Sequence, residues 1–160
     1  MTVITVNTPA GRITPEQRRE LATTLTDAVL VPEVGAQVDG AREGFQVHFV
    51  ERALDSIAIG GKLVSDRSVD VMQIDVAVMA GDWRQSVRSE VITRLFAALS
   101  TALGVAEPSP AWWINFRIIE EGSWGSRGGV LSIHHLLGQG IFTEEKTTAI
   151  RSATPPAQLS

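Results

Sequence analysis

Cysteine and tyrosine are both absent from this 160-residue chain. Without cysteine there can be no disulfide framework, no thiol nucleophile and no thiolate metal site. Without tyrosine, the large aromatics are four tryptophans and five phenylalanines, so their placement carries more of the reading. Basic residues are also few: 14 Lys and Arg stand against 18 Asp and Glu, a net charge of −4. That balance argues against nucleic acid, whose phosphates call for a basic face. No stretch reaches the roughly 18 to 20 apolar residues of a membrane span. The amino terminus shows neither the cationic nor the apolar region of a signal peptide. The expected setting is therefore cytoplasmic, with no membrane partner. Apolar residues make up 44% of the chain and mean hydropathy is +0.10, which at this length suits one sizeable core. A single domain over 1–160 is expected, with apolar surface to spare for an oligomer.

What is present is a repeat. Gly60-Gly61, within Ser56-Ile57-Ala58-Ile59-Gly60-Gly61-Lys62-Leu63, recurs as Ser126-Arg127-Gly128-Gly129-Val130-Leu131. Each unit runs in the same order: a short apolar strand, a turn with glycine, an amphipathic helix, a second strand and the glycine turn. The first is Val3-Ile4-Thr5-Val6, Gly11, a helix from Thr14, Phe45-Gln46-Val47-His48-Phe49 and Gly60-Gly61. The second is Gln73-Ile74-Asp75-Val76, Gly81, a helix from Asp82, Ile114-Asn115-Phe116-Arg117-Ile118 and Gly128-Gly129. Gly11 lies 49 positions before Gly60, and Gly81 lies 47 before Gly128. This register predicts an α+β fold of duplicated β-α-β units, with pseudo-repeats over 2–64 and 72–131. A helix and tail over 132–160 complete the chain.

The local signals sharpen the elements. Thr14-Pro15-Glu16-Gln17 is a helix start, with a capping threonine, proline in the first turn and glutamine three residues after the cap. Leu21, Leu25 and Ala28 mark one helical face, and the helix is expected to end near Val31-Pro32. Residues 33–44 read as a loop. Asp82 with Gln85 is expected to cap the second helix, whose buried stripe is Val87, Val91, Leu95, Leu99 and Leu103, with Gly104 closing it. Alternation in Phe45, Val47, Phe49 and in Ile114, Phe116, Ile118 predicts strand faces packed on these helices. Gln46, His48, Trp113, Asn115 and Arg117 then occupy the opposite faces. A last helix from Glu144 to about Ala153 precedes a mobile Thr154-Pro155-Pro156 tail.

Gly11-Arg12-Ile13-Thr14-Pro15-Glu16-Gln17-Arg18 resembles the strand-to-helix segment of the tautomerase superfamily, and Ile57 to Leu63 resembles its carboxy-terminal hairpin. The resemblance covers most of residues 2–131. Ala111-Trp112-Trp113-Ile114-Asn115-Phe116 is similar to the last long strand of the cytokine branch. The doubled length is similar to fused members such as cis-3-chloroacrylic acid dehalogenase and macrophage migration inhibitory factor. The resemblance implies a sheet with two helices on one face and a homotrimer. It further implies proton transfer on a small 2-oxo acid or unsaturated carboxylate, with no cofactor or metal. The family's catalytic residue is an amino-terminal proline, and alignment on Gly11 puts Thr2 at that position. Met72 stands at the matching place of the second unit, and Val29 where the dehalogenase histidine falls.

Several residues could carry chemistry in that setting. Excision of Met1 would give Thr2 a free primary amine, able to move a proton near neutrality. Retention of Met1 carries the amine about 3.5 Å further along the extended chain. Arg12, by the resemblance, grips the substrate carboxylate, a task its fork of donors suits. Arg127 is a second candidate clamp, Trp124 a pocket wall, and Asn115 a substrate-binding residue. Arg117, on an inward strand face, points to an intersubunit salt bridge, and Glu121 to a pocket acid. His48 is a strand histidine with no metal-ligand spacing around it. His134 and His135, on a strand, would point to opposite faces. Two other readings stay open: a tautomerase-like fold that binds a small acid or a protein without catalysis, and a ferredoxin-like α+β barrel dimer.

Overall fold

A computed structural model describes residues 1–155. The first unit consists of β1 (Thr2–Pro9), α1 (Pro15–Val34) and β2 (Phe45–Arg52), followed by the two-residue strands β3 (Ala58–Ile59) and β4 (Lys62–Leu63). The second repeats the order with β5 (Met72–Met79), α2 (Gln85–Leu103), β6 (Trp112–Ile119), β7 (Gly125–Ser126) and β8 (Gly129–Val130). Two short helices end the described chain, α3 (Ile133–Leu137) and α4 (Glu144–Ala153). Pro156, part of the tail expected to be mobile, lies outside the described residues.

The main sheet has the order β2-β1-β5-β6. β1 pairs parallel with β2, β5 parallel with β6, and β1 antiparallel with β5. Each unit therefore keeps its own two strands side by side. A ferredoxin-like sheet splits each β-α-β with a strand of the other, so this order removes that alternative. Alternation decides the faces. Ile4 and Val6 of β1 and Ile74, Val76 and Val78 of β5 are fully buried under α1 and α2. Val3, Thr5 and Asn7 look the other way, on a face that no element among the described residues covers. Among the described residues, no helix is long and apolar enough to cross a membrane.

The start of α1 follows its local code. The Thr14 hydroxyl accepts from the Gln17 amide at 3.2 Å, and the Gln17 side chain accepts from the Thr14 amide at 2.9 Å. This reciprocal cap contributes about 1 kcal/mol. The other end departs from expectation. Pro32 removes one main-chain donor, yet the helix continues to Val34 and closes on Gly35. Burial of Leu30, Val34 and Ala41 in a satellite cluster offsets the missing bond. Residues 33–44 are thus not one loop: Glu33 and Val34 are helical, and Asp39–Gly44 forms a 3-10 turn.

The second helix also corrects the sequence reading. Arg84 precedes its first turn without a side-chain cap. Asp82 is engaged elsewhere, pairing with Arg84 and with buried Lys146 at 3.2 Å each. Gly104 closes the helix in the left-handed conformation as expected. Ile118 is 43% exposed and does not pack on the helices as Phe116 does.

The two hairpins shift the repeat by one residue. In the first, the turn residues are Gly60 and Gly61, with φ 59° and 76°. In the second they are Arg127 and Gly128, with φ 52° and 78°. Gly60 therefore corresponds to Arg127, not to Gly128. Both turns have positive φ at both central residues, the form that matches strand twist.

Residues 133–153 fold back over the chain's beginning. The Thr143 amide donates to the Val34 carbonyl at 3.0 Å, fastening α4 to the end of α1. The Lys146–Asp82 pair fastens it to the β5–α2 turn. Met79, Ile133, Leu136, Leu137 and Ile150 form a second apolar cluster there, with Met1, Trp124, Leu131 and Phe142 against it.

Candidate active site

A cavity of about 260 Å³ opens at the head of β1. Polar lining comes from Met1, from Glu33 at the end of α1, from Glu43 in the 3-10 turn, from Ser126 and Arg127 in the second hairpin, from His135 on α3 and from Gln139. Phe45, Leu131, Leu136 and Phe142 supply apolar wall.

Glu33 is the anchor of this arrangement. It is only 8% exposed, and a buried carboxylate requires compensating partners. One oxygen accepts a hydrogen bond from the Thr2 hydroxyl at 3.2 Å. The other lies 3.6 Å from the Met1 main-chain nitrogen. The helical residues of α1 beyond Pro32, Glu33 and Val34, are what deliver the Glu33 carboxylate to this position. Arg127 lines the same cavity from the exposed hairpin, in a backbone conformation that costs a residue with a side chain roughly 1 kcal/mol or more. Such a strained residue at a cavity mouth is a functional candidate.

The other expected residues fall at different places. Thr2 is buried, with its hydroxyl on Glu33 and its main chain inside β1. Trp124 is half-buried and packs against the second apolar cluster, without lining the cavity. Arg12 lies at the opposite end of β1, about 25 Å away for eight residues of strand. There it grips Asp70 with both arms, at 2.9 and 2.8 Å. This pair holds the Asp70 carboxyl below its ordinary range and the Arg12 guanidinium above its own, chiefly through their hydrogen bond. Asn115 sits on the open sheet face and donates to Asp75 at 3.4 Å. Thr2, Trp124 and Arg127 are thus gathered at one end of the sheet, and Arg12 and Asn115 are not.

Glu121 caps α3, accepting from the Ile133 amide at 3.0 Å. His48 contacts Gln46 at 3.0 Å on the open face. His134 and His135 are helical, not on a strand, and it is His135 that reaches the cavity. Among the described residues no cluster of three His, Asp or Glu is placed to hold a metal ion.

Glu33 and His135 escaped the sequence reading. A signal for Glu33 was available: Leu21, Leu25, Val29 and Glu33 follow one another at i+4. A carboxylate continuing an apolar stripe marks a buried charge with a task. His135 had no comparable signal, because its five-residue helix is too short to show a helical period.

No protein-family model matches the chain, and no curated protein is similar enough to match. Solved structures do match. Native fused 4-OT is 23% identical with a TM-score of 0.67, covering 85% of this chain and 98% of its own. A member of the cis-3-chloroacrylic acid dehalogenase family is 15% identical with a TM-score of 0.66, over 94% and 99%. The macrophage migration inhibitory factor of Toxoplasma gondii is 19% identical with a TM-score of 0.58, over 81% and 99%. At such identities the likeness establishes architecture. Together with the β2-β1-β5-β6 sheet and its paired hairpins, it shows that this chain has the tautomerase-superfamily fold in its fused, two-unit form.

Proposed function

We propose that the protein moves a proton on a small 2-oxo acid or unsaturated carboxylate at the head of β1. The observation that carries this reading is the meeting there of a main-chain nitrogen, a buried carboxylate and a guanidinium in one partly apolar cavity. Arg127 holds the substrate carboxylate. The terminal amine, of Met1 or of Thr2 after excision, takes the proton from the enol oxygen and delivers it to the carbon beside the newly formed carbonyl. Glu33 orients that amine and balances its charge. Trp124 packs behind the apolar wall, and α3 with the segment 139–142 screens the site from water. The chemistry calls on no cofactor or metal.

Fused 4-OT proteins are solved as trimers, and the uncovered sheet face supports a homotrimer here. Arg12 and Asn115 enter the reading only through such assembly, in which one subunit's residues stand near another's cavity. Arg12 would first have to leave Asp70.

A second reading is a protein of this fold that binds a small acid without turnover. The buried Thr2, in place of a proline and tied to Glu33, favours it. Ketonisation of phenylenolpyruvate and of 2-hydroxymuconate decides between them, on tag-free protein whose first residue is confirmed by intact mass. Turnover above buffer that is lost on blocking the amine supports catalysis. Binding of the acids without turnover supports the second reading.

A further inference from the structure

Duplication of the β-α-β unit creates a second strand head, and that head also carries a cavity. Thr2 stands opposite Phe45 in the first unit and Met72 opposite Trp112 in the second. One residue earlier, Met1 and Gly44 therefore correspond to Val71 and Ala111. Just before the hairpin turns, Ser126 likewise corresponds to Ile59. Met1, Gly44 and Ser126 line the cavity at the head of β1. Val71, Ala111 and Ile59 line a cavity of about 160 Å³ at the head of β5. The two hollows are pseudo-symmetric, and their chemistry has diverged.

The second hollow has no chain terminus and no lining carboxylate. Its walls are Ile57, Ala58, Ile59, Val71, Met72 and Ala111, and its polar groups are Asn7, Arg52 and Gln73. Arg52 has no acidic partner among the described residues. Two of its nitrogens share the single Asn7 Oδ1, at 3.3 and 3.1 Å. Within the single chain, the rest of its donors have no partner among the described residues. Trp113, at the rim, is 60% exposed, and its indole N–H is tethered to the Pro110 carbonyl at 3.2 Å. The ring is therefore presented in a fixed pose. An apolar cavity near 150 Å³ suffices for benzene, and an aromatic face stacks a planar guest. Asp75 lies two residues beyond Gln73 on the same face, but Asn7, Gln73 and Asn115 all donate to its carboxylate. That amide shell occupies its oxygens and leaves Arg52 as the charged residue that lines the hollow.

We infer that the head of β5 is a second, non-catalytic binding site for a single-ring aromatic carboxylate. The ring enters between Ile57, Ile59 and Met72 against Trp113, and the carboxylate meets Arg52. The site is independent of the proposed chemistry at the head of β1, since it shares no residue with it.

Benzoate titration followed by the indole N–H resonances of 15N-labelled protein tests this. Four tryptophans give four signals, and Trp113→Phe assigns the one that matters. The expected result is a saturable shift of the Trp113 signal. Its affinity falls about fivefold or more in Arg52→Met, as loss of a charge-assisted contact requires, and stays unchanged in Arg127→Ala. Benzyl alcohol, with the ring but not the charge, binds correspondingly weaker. Ala58→Phe fills the hollow from the exposed hairpin without altering charge, and is expected to abolish the shift. Absence of a saturable shift overturns the proposal. So does a shift that Arg52→Met leaves intact, or one that Arg127→Ala removes, which would place the ligand at the head of β1.

Discussion

Replacing Arg127 by glycine is expected to stabilise the protein while weakening its handling of carboxylates. Arg127 occupies the first central position of the β7–β8 turn with φ 52°, where the matching residue of the first hairpin is Gly60. Left-handed backbone costs an L-residue about 1–2 kcal/mol. Glycine removes that strain but adds about 0.4–1 kcal/mol of unfolded-state entropy. The net gain is about 0.5–1 kcal/mol, or roughly 1–4 °C in Tm for a domain of this size. The guanidinium at the cavity mouth is solvent-exposed, so its loss from a bound carboxylate is set low, at about 1.4 kcal/mol, or tenfold in Kd or kcat/KM. Differential scanning fluorimetry and a ketonisation or acid-binding assay read the two effects on the same sample. Gly60→Ala is the reciprocal control. A Cβ there meets nothing closer than the tip of Arg67, so its expected net loss of about 0.5–1 kcal/mol, after the same entropy offset, comes from backbone alone. A lower Tm for Arg127→Gly, or unchanged carboxylate handling, would refute the idea that strain is kept there for function.

Glu33→Gln keeps the shape at the cavity but removes the charge that faces the first main-chain nitrogen. Turnover is expected to fall about tenfold or more, and unchanged kcat/KM would remove Glu33 from the site. At Gly35, where φ is 90°, an added Cβ would collide with the Thr143 hydroxyl and crowd Lys146. Gly35→Ala is thus expected to cost about 2–3 kcal/mol by urea unfolding, and to expose residues 133–153 to limited proteolysis. Acid stability follows from Asp70, whose folded pKa lies below its ordinary value of 3.8 because Arg12 hydrogen-bonds it. A depressed carboxylate adds stability that is present above that ordinary value and is lost as pH falls through the folded one. With the pair about one-third exposed, the contribution is about 0.5–1 kcal/mol. Urea midpoints of wild type and Asp70→Asn should differ at pH 7 and converge near pH 2, and a gap that persists in acid would contradict the linkage.

The sequence by itself determined the two β-α-β units, because period-2 strands, period-3.6 helices, the Thr14 cap and the Gly104 stop are local signals. Each depends on neighbours within a few residues. The glycine pairs located both hairpins, although φ values were needed to show that Arg127, not Gly128, matches Gly60. What lay beyond local reach was everything decided by distant partners. Asp82 had the spacing of a cap, but Lys146, 64 residues away, takes its carboxylate. Pro32 had the look of a helix end, but burial of Leu30 and Val34 carries α1 on to Val34 and sets Glu33 against Thr2. Arg12 and Thr2 lie close in sequence, yet an extended β1 holds them at opposite ends of the sheet. The tertiary structure alone brought Met1, Glu33, Arg127 and His135 to one cavity, because strand direction, hairpin position and the return of α3 and α4 have no signature in any short window of the chain.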